Sequence, residues 1–178
     1  MPGVMKRLVP LVGAIVLLAW GCAQALAPAP SATPKAQEKD PRPLYQMLLE
    51  WAVLETPLPG QTRPLFFPER DLLKEASVIR VVKGSVPSGV TLSLPDKRVQ
   101  VLSEQELQGL ADREGELHAL QFTPLMDRPE GAEIGLDLVW FVRKDSPVLP
   151  LSGGGVRLLF RWHEGAWKFE RSRGLRIS

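Results

Sequence analysis

The sequence contains little cysteine or histidine. One cysteine, Cys22, and two histidines, His118 and His163, occur in 178 residues. A lone cysteine cannot form an internal disulfide. Neither histidine belongs to a metal-ligand spacing or to a triad of nucleophile, base and orienting residue, so we expect structural or solvent-exposed roles for both. The sequence thus shows no catalytic constellation, and it predicts neither an enzyme nor a cofactor or metal site.

The sequence also lacks an apolar run long enough to predict a permanent membrane helix. The stretch from Leu8 to Trp20 is uncharged and mostly apolar, but as a helix it would rise only about 20 Å, against roughly 30 Å for a bilayer core. It follows Lys6 and Arg7, and a short basic segment before such a run is typical of an export signal. We therefore predict export, with an uncleaved anchor as a weaker alternative.

Outside the predicted export signal, the chain has no excess of charge of either sign. The formal net charge is +2, and without Lys6 and Arg7 the chain has as many basic as acidic residues. This balance predicts no nucleic-acid partner. The range 151–178 is nevertheless basic, with six arginines and lysines against Glu164 and Glu170. We interpret it as a solvated outer face, and contact with anionic lipid, a polyanion or an acidic partner is the alternative.

Cys22 directly follows the apolar run and is preceded by Leu18-Ala19-Trp20-Gly21. A small residue before a cysteine at this position resembles the lipobox of bacterial lipoproteins, in which the cysteine receives diacylglycerol. The resemblance implies lipidation at Cys22 and a membrane-anchored envelope protein. Ala23, rather than aspartate, resembles the pattern of proteins sorted to the outer membrane, where the domain would face the periplasm. However, Ala23-Gln24-Ala25 fits ordinary signal peptidase, which would release a soluble periplasmic or secreted chain from Leu26.

The segment from Leu26 to Pro43 holds five prolines among small and polar residues. It has too little apolar surface to form a core, and proline-rich chain of this length can extend roughly 50 Å. We therefore predict three segments: an export signal with a lipobox-like end at 1–22, a disordered Pro/Ala-rich tether at 23–43, and a single α+β domain at 44–178.

Hydrophobic periodicity places the elements of that domain. Helical spacing begins at Leu44 and ends before Pro57, and a short helix is predicted over Glu69–Lys74. A third helix, Ser103–Arg113, begins with a capping box of Ser103 and Glu106. The predicted strands are Val78–Val82, Val90–Leu94, Val99–Leu102, Leu117–Leu125 and Ile134–Val142, and a turn-rich connection, Asp145–Gly155, follows them.

The clearest pattern is the alternation of apolar and polar residues from Val156 to Arg171, which Glu164-Gly165 interrupts. It predicts a β-hairpin. A loop of two or four residues places Trp162 opposite Trp167 and Phe160 opposite Phe169, with all four rings on one face. A three-residue loop would instead place Lys168 among the apolar side chains, so the register is well specified.

Strands that follow one another without long helical crossovers favour antiparallel pairing. The predicted fold class is α+β, a mainly antiparallel curved sheet packed on one or two helices and ending in a long β-hairpin. The pattern of Leu117–Arg171 resembles the last strands of cystatin-like and nuclear-transport-factor-like domains, in which a curved sheet wraps a helix. This resemblance implies a fold and assigns no site residues.

Several groups of residues are candidates for a functional site. Aromatic side chains could line a ligand pocket, although aromatics on one strand face more often form a core; they are Trp140, Phe160, Trp162 and Trp167. Gly153-Gly154-Gly155 precedes a strand rather than a helix, which favours a bulge or a close backbone approach over a phosphate site. The carboxylates of Glu104, Glu106, Asp112, Glu114 and Glu116 lack calcium-loop spacing and are expected to be solvated.

These observations predict an exported, lipid-anchored bacterial envelope protein with a non-catalytic binding or assembly domain. Its partners would be the membrane, through the lipid, and an envelope protein. A small-ligand-binding domain with an aromatic-lined pocket is one alternative. A hydrolase that uses His118 and a nearby carboxylate is another.

Overall fold

The described part of the chain, residues 39–147 and 152–176 of the computed structural model, has an α+β fold, as predicted. The three α-helices are α1 (Arg42–Leu54), α2 (Arg70–Glu75) and α3 (Glu104–Glu114), and a short 3-10 helix spans Lys83–Ser85. The strands are β1 (Val78–Val82), β2 (Arg98–Leu102), β3 (Leu117–Phe122), β4 (Met126–Arg128), β5 (Gly131–Phe141), β6 (Ser152–His163) and β7 (Ala166–Arg176).

The described strands form one open, mixed sheet in the order β2-β1-β3-β5-β6-β7, and β4 pairs with β5 outside this path. Strands β3 to β7 pair antiparallel, whereas β1 pairs parallel with both β2 and β3. The sheet is therefore mainly antiparallel, as expected. The sequence did not predict its parallel edge, because irregular chain, rather than a long helix, returns from β1 to the start of β2.

The terminal hairpin has the predicted register. Glu164 and Gly165 adopt φ angles of 52° and 78°, and two such residues form the tight turn that suits the twist of paired strands. Trp162 pairs with Trp167 and Phe160 with Phe169, with ring centroids 5.2 Å and 6.1 Å apart. Further from the turn, two register shifts mark β-bulges, which bend the strands locally.

The helices cover opposite faces of the sheet. Val81 belongs to the large core cluster that includes α1, whereas its neighbour Val82 packs with Leu107 and Ala111 of α3. Successive side chains of a strand point to opposite faces, so α1 and α3 lie on different sides. The hairpin aromatics share the α1 face, where Phe160 and Trp167 are buried.

The predicted capping box begins α3. The backbone amide of Glu106 donates to Ser103 Oγ at 3.3 Å, and the amide of Ser103 donates to Glu106 Oε2 at 2.8 Å. The backbone and hydroxyl hydrogen bonds from Ser103 lower the pKa of the Glu106 carboxyl, because they stabilise its charged form. The sequence thus located this helix start correctly.

The predicted strand Val90–Leu94 is wrong. Leu92 and Leu94 are buried, as the alternation indicated, but the segment is irregular and joins no strand. The side-chain amide of Gln46 instead accepts from the Ser93 amide at 3.1 Å and donates to the Ser93 carbonyl at 2.8 Å. A side chain of α1 therefore satisfies the backbone groups that a neighbouring strand would have paired.

Two further boundaries differ from expectation. Helix α1 begins at Arg42, inside the range predicted as tether. Strand β6 begins at Ser152, so Gly153 to Gly155 belong to a strand rather than to a turn-rich connection. The predicted export signal, Cys22 and most of the tether lie outside the described residues. No helix within the described ranges is long and apolar enough to cross a membrane.

Candidate functional site

The four aromatic residues predicted to line a pocket are divided between two places. Phe160, Trp162 and Trp167 lie together near the hairpin turn, and Phe160 is 0% exposed. Trp140 lies at the other end of β5, since Ala132 pairs with Phe160 and Val139 pairs with Ser152. The separation along the strand is roughly 26 Å at about 3.3 Å per residue. One pocket cannot contact all four side chains.

Trp167 does line a cavity of about 590 Å³, together with Lys39, Asp127 and Arg128. Its ring is nevertheless 6% exposed, and its indole Nε1 donates to the carbonyl oxygen of Asp40 at 2.7 Å. The polar atom of this tryptophan is therefore engaged within the domain. The side chain acts mainly as part of the core that joins the hairpin to the start of α1.

His118 occupies a different and more polar environment. It lies at the start of β3 in a cleft of about 230 Å³, whose wall combines apolar side chains with four ionisable ones. The lining residues are Leu72, Leu73, Ala76, Val78, Ile79, Arg80, Glu114, Glu116, Leu117 and His118. They come from the ends of α2 and α3 and from the first residues of β1 and β3.

The cleft lies where β1 and β3 meet over a short ladder. The ladder between β1 and β3 contains one residue pair, Val81 and Leu120. Arg80 and His118 precede this pair at the same end of the two parallel strands, but Arg80 is level with Ala119 and His118 with Ile79, so their side chains project from opposite faces of the sheet. Gly115, with a φ of 97°, ends α3 and places Glu114 and Glu116 on either side of the turn.

The ionisable side chains form two ion pairs with long interatomic distances. His118 Nε2 lies 3.5 Å from Glu116 Oε1, and Arg80 Nη2 lies 3.7 Å from Glu114 Oε2. Charge-assisted hydrogen bonds are usually about 2.7–2.9 Å long. Both pairs are therefore close enough for electrostatic attraction and too long for strong hydrogen bonds.

The basic groups lie deeper in the cleft than the acidic ones. The side chains of Arg80 and His118 are 22% and 26% exposed, whereas those of Glu114 and Glu116 are 56% and 47% exposed. Arg80 Nε and His118 Nε2 are buried atoms without a hydrogen-bond partner among the described residues. Arg70 Nη2 and Trp140 Nε1 are buried atoms of the same kind, and buried polar atoms in folded proteins rarely lack a partner.

Trp140 fixes the imidazole from the neighbouring strand. Its ring packs edge to face on His118 with centroids 4.8 Å apart, as expected for residues that pair directly across β3 and β5. Its Nε1 faces Gly153, where an added Cβ would approach it to 2.8 Å. The tryptophan therefore packs on the imidazole that lines the cleft. A glycine at position 153 avoids a clash between a side chain and the indole.

No family profile, characterised protein or solved structure matches this chain. The resemblances to bacterial lipoproteins and to cystatin-like or nuclear-transport-factor-like domains therefore stay predictions. What the cleft can do follows from its own side chains: an arginine and a histidine that can donate hydrogen bonds, two carboxylates that can accept them, and an aliphatic wall.

Three other candidate residues, His163, Glu106 and Asp112, have local partners. His163 lies at the exposed hairpin turn, with Nδ1 3.2 Å from Glu164 Oε2, and at the opposite end of the sheet from His118. Glu106 caps α3, and Asp112 accepts from Gln108 at 3.0 Å. In residues 39–147 and 152–176, no three His, Cys, Asp or Glu side chains form a group that could hold a metal ion.

The basic C-terminal residues are matched by carboxylates. Arg161 lies 2.8 Å from Glu170, and Arg176 lies 3.2 Å from Asp137. Arg171 lies 3.4 Å from Glu130. Ion pairing of this kind fits the interpretation of the segment as a solvated outer face of the sheet.

Arg80 is the residue of the cleft that the sequence interpretation missed. It interrupts the β-branched run Val78-Ile79-Arg80-Val81-Val82, and a charged residue within an otherwise apolar strand is a signal of a special environment. Its proximity to the cleft depends on the parallel pairing of β1 with β3. That pairing was not predicted, so the signal could not be connected with His118.

Proposed function

We propose that this chain is an exported bacterial envelope protein, anchored through a lipid on Cys22, whose α+β domain binds a ligand or partner without transforming it. The export signal, the position of Cys22 and the proline-rich segment support the anchor. In a double-membrane bacterium the anchor would lie in the outer membrane, with the domain facing the periplasm. Release from Leu26 as a soluble protein is the alternative.

One structural observation supports ligand or partner binding as the function of the domain. Two buried polar atoms of residues that line the cleft, Arg80 Nε and His118 Nε2, have no hydrogen-bond partner among the described residues. An unpaired buried donor destabilises a protein by about 1–3 kcal/mol. An incoming acceptor that pairs with these atoms would remove that penalty, and this gain would contribute to affinity.

Lipidation is tested by feeding cells a clickable palmitate analogue and comparing the native chain with Cys22→Ala. We expect the label to be lost completely in the variant and the protein to leave the membrane fraction, because the thiol is the attachment point. Ala25→Leu is the matched control. It blocks the competing cleavage pattern and should keep the label. An unlabelled native chain that begins at Leu26 would instead establish the soluble form.

A hydrolase is the second candidate function, and the approach of His118 to Glu116 favours it. A carboxylate 3.5 Å from the imidazole can orient the ring as a general base, which typically contributes 10²–10⁴-fold to a rate. On this hypothesis the purified chain hydrolyses p-nitrophenyl acetate, and His118→Gln slows it by roughly 100-fold or more. Equal rates in both proteins would reject the hypothesis.

A further inference from the structure

The outer edge of strand β2 is open. Among the described strands, β2 pairs with β1 alone, and none of its five residues is buried. The Arg98 amide donates to the Ser77 carbonyl on the β1 side. Backbone groups of successive residues alternate in direction along a strand, so Val99 and Val101 direct their amides and carbonyls away from β1. Within the described ranges these outward groups have no hydrogen-bond partner.

The opposite edge of the sheet, formed by β7, is better protected. The Phe169 amide donates to the Pro59 carbonyl at 2.6 Å, so the loop before α2 covers part of this edge. Two β-bulges also interrupt the pairing of β7 with β6. Bulges and covering loops are common means by which proteins prevent an edge strand from pairing with another chain. By contrast, β2 pairs with β1 in an unbroken register.

Both faces of β2 offer a surface on which an added strand can pack. On the α1 face, Val99 is partly buried against the main core, and Val101 is 39% exposed. On the α3 face, a groove of about 500 Å³ lies between β2 and α3. The residues that line it include Gln100, Leu102, Glu106, Gly109 and Leu110. An additional strand would therefore cover an exposed valine on one face and have room for its side chains on the other.

We propose that β2 pairs antiparallel with β2 of a second copy of this chain, around a two-fold axis at Gln100. The register that pairs the whole of β2 places Val99 opposite the partner's Val101. Both residues direct their backbone groups outward, as a hydrogen-bonded antiparallel pair requires. The symmetry repeats this pair, so the exposed valines become buried in two cross-strand contacts. The inference goes beyond the proposed function and depends on neither the anchor nor the cleft.

The charges at the two ends of β2 are complementary under this symmetry. Arg98 begins the strand and forms no ion pair within the described residues. Glu106 lines the groove beside Leu102 at the other end, and its Oε2 bonds to Ser103, which leaves Oε1 for an arginine. The two-fold axis places Arg98 opposite the partner's Leu102, on the α3 face, and therefore beside the partner's Glu106. This self-complementarity favours a second copy over a different protein.

Arg98 and Glu106 of the same chain cannot form this pair. Arg98 and Leu102 alone are about 13 Å apart at about 3.3 Å per residue, and Glu106 lies beyond Leu102. Any energetic coupling between the arginine and the glutamate must therefore connect two copies of the chain.

Gln100→Cys tests the two-fold axis, because the two substituted residues would lie directly opposite each other. The Cα atoms of such a pair are about 4.5 Å apart, within the roughly 4.4–6.8 Å that a disulfide spans. Mild oxidation of the purified full-length chain in detergent should convert most of this variant to a covalent dimer on a non-reducing gel. Gly174→Cys is the matched control on the β7 edge. It should stay monomeric, and it also controls for any thiol at Cys22.

Charge variants test the contact between the two ends. Sedimentation equilibrium of the full-length chain in density-matched detergent should show dimerisation about ten-fold weaker or more in Arg98→Glu, because like charges then meet across the interface. Arg63→Glu makes the same change at an exposed arginine outside the sheet and should dimerise as the native chain does. Adding Glu106→Gln to Arg98→Glu should restore part of the affinity, since glutamine removes the repulsion and keeps the capping box.

A native chain that remains monomeric at about 0.1 mM would overturn the proposal. Additive effects of Arg98→Glu and Glu106→Gln would also overturn it, as would a crosslink from Gln100→Cys to a different protein. Cys22→Ala has no attachment point for a lipid and should still dimerise, whereas loss of its dimer would reject pairing through β2. The measurement on the native chain keeps the proposal testable if a β2 variant fails to fold.

Discussion

Replacement of Phe160 with alanine is expected to lower the free energy of unfolding by about 3–5 kcal/mol. The ring is 0% exposed in the main core and packs edge to face on Phe169 across the hairpin. Its removal loses the free energy gained by burying the ring, and it leaves a cavity in which the neighbouring side chains lose their contacts with the ring. Domains are typically stable by about 5–15 kcal/mol, so the loss is a large fraction of the total, and urea unfolding measures it directly.

Phe66→Ala is the control for this substitution, because it makes the same chemical change at a side chain that is 63% exposed. We expect its effect to stay within about 0.5 kcal/mol, as for most surface substitutions. Similar losses in the two variants would contradict the position of Phe160 in the core. The comparison also tests whether Phe160, one of the four hairpin aromatics, stabilises the domain as the sequence pattern indicated.

Replacement of Gly155 with alanine is expected to destabilise the domain by about 1–3 kcal/mol, the usual range for overpacking. An added Cβ would collide with the Asp137 carboxylate and would lie 2.9 Å from the Leu136 carbonyl oxygen. Asp137 has little freedom to move away, because Arg176 holds its other oxygen at 3.2 Å. Burial raises the pKa of this carboxyl, because the enclosing strands disfavour its charged form.

Gly174→Ala is the matched control in the neighbouring strand, since an added Cβ there meets nothing within 4 Å. It should leave stability unchanged or raise it by about 0.4–1 kcal/mol through a more restricted unfolded chain. The double variant Gly155→Ala, Asp137→Ala should recover part of the loss, because the obstructing carboxylate is absent. Additive effects of the two substitutions in urea unfolding would show that the steric explanation is wrong.

The hairpin was predictable because everything that determines it is local. One apolar and one polar face follow from the alternation itself, and Glu164-Gly165 supplies the two positive φ angles of the turn. The start of α3 was predictable for the same reason, since Ser103 and Glu106 are three residues apart and bond to each other. Short-range chemistry of this kind can be interpreted from a sequence alone.

Pairing partners were harder to predict than burial. The alternation in Val90–Leu94 correctly indicated that Leu92 and Leu94 are buried, but it contains no information on what satisfies the backbone between them. The side chain of Gln46 in α1 bonds to these backbone groups. Nothing in the sequence distinguishes this glutamine from other polar residues of the helix. The strand β4 was missed because three residues before Pro129 are too few to show any periodicity.

The candidate site was predictable only in part. His118 and Glu116 are two residues apart, so a nearby carboxylate could be anticipated, and the structure places it 3.5 Å from the ring. Arg80 and Trp140 come from neighbouring strands, and their positions depend on two strand registers. The short ladder between β1 and β3, beside which the cleft lies, has no signature in either strand.

The bond between Trp167 and Asp40 also constrains the order in which the domain forms. It joins residues 127 positions apart, and the amide of Phe169 bonds to the Pro59 carbonyl at 2.6 Å over a similar span. The part of the core beside the start of α1 therefore stays incomplete until the final strand has been synthesised. Contacts so distant in sequence slow folding. Folding is completed only after the C-terminal hairpin arrives.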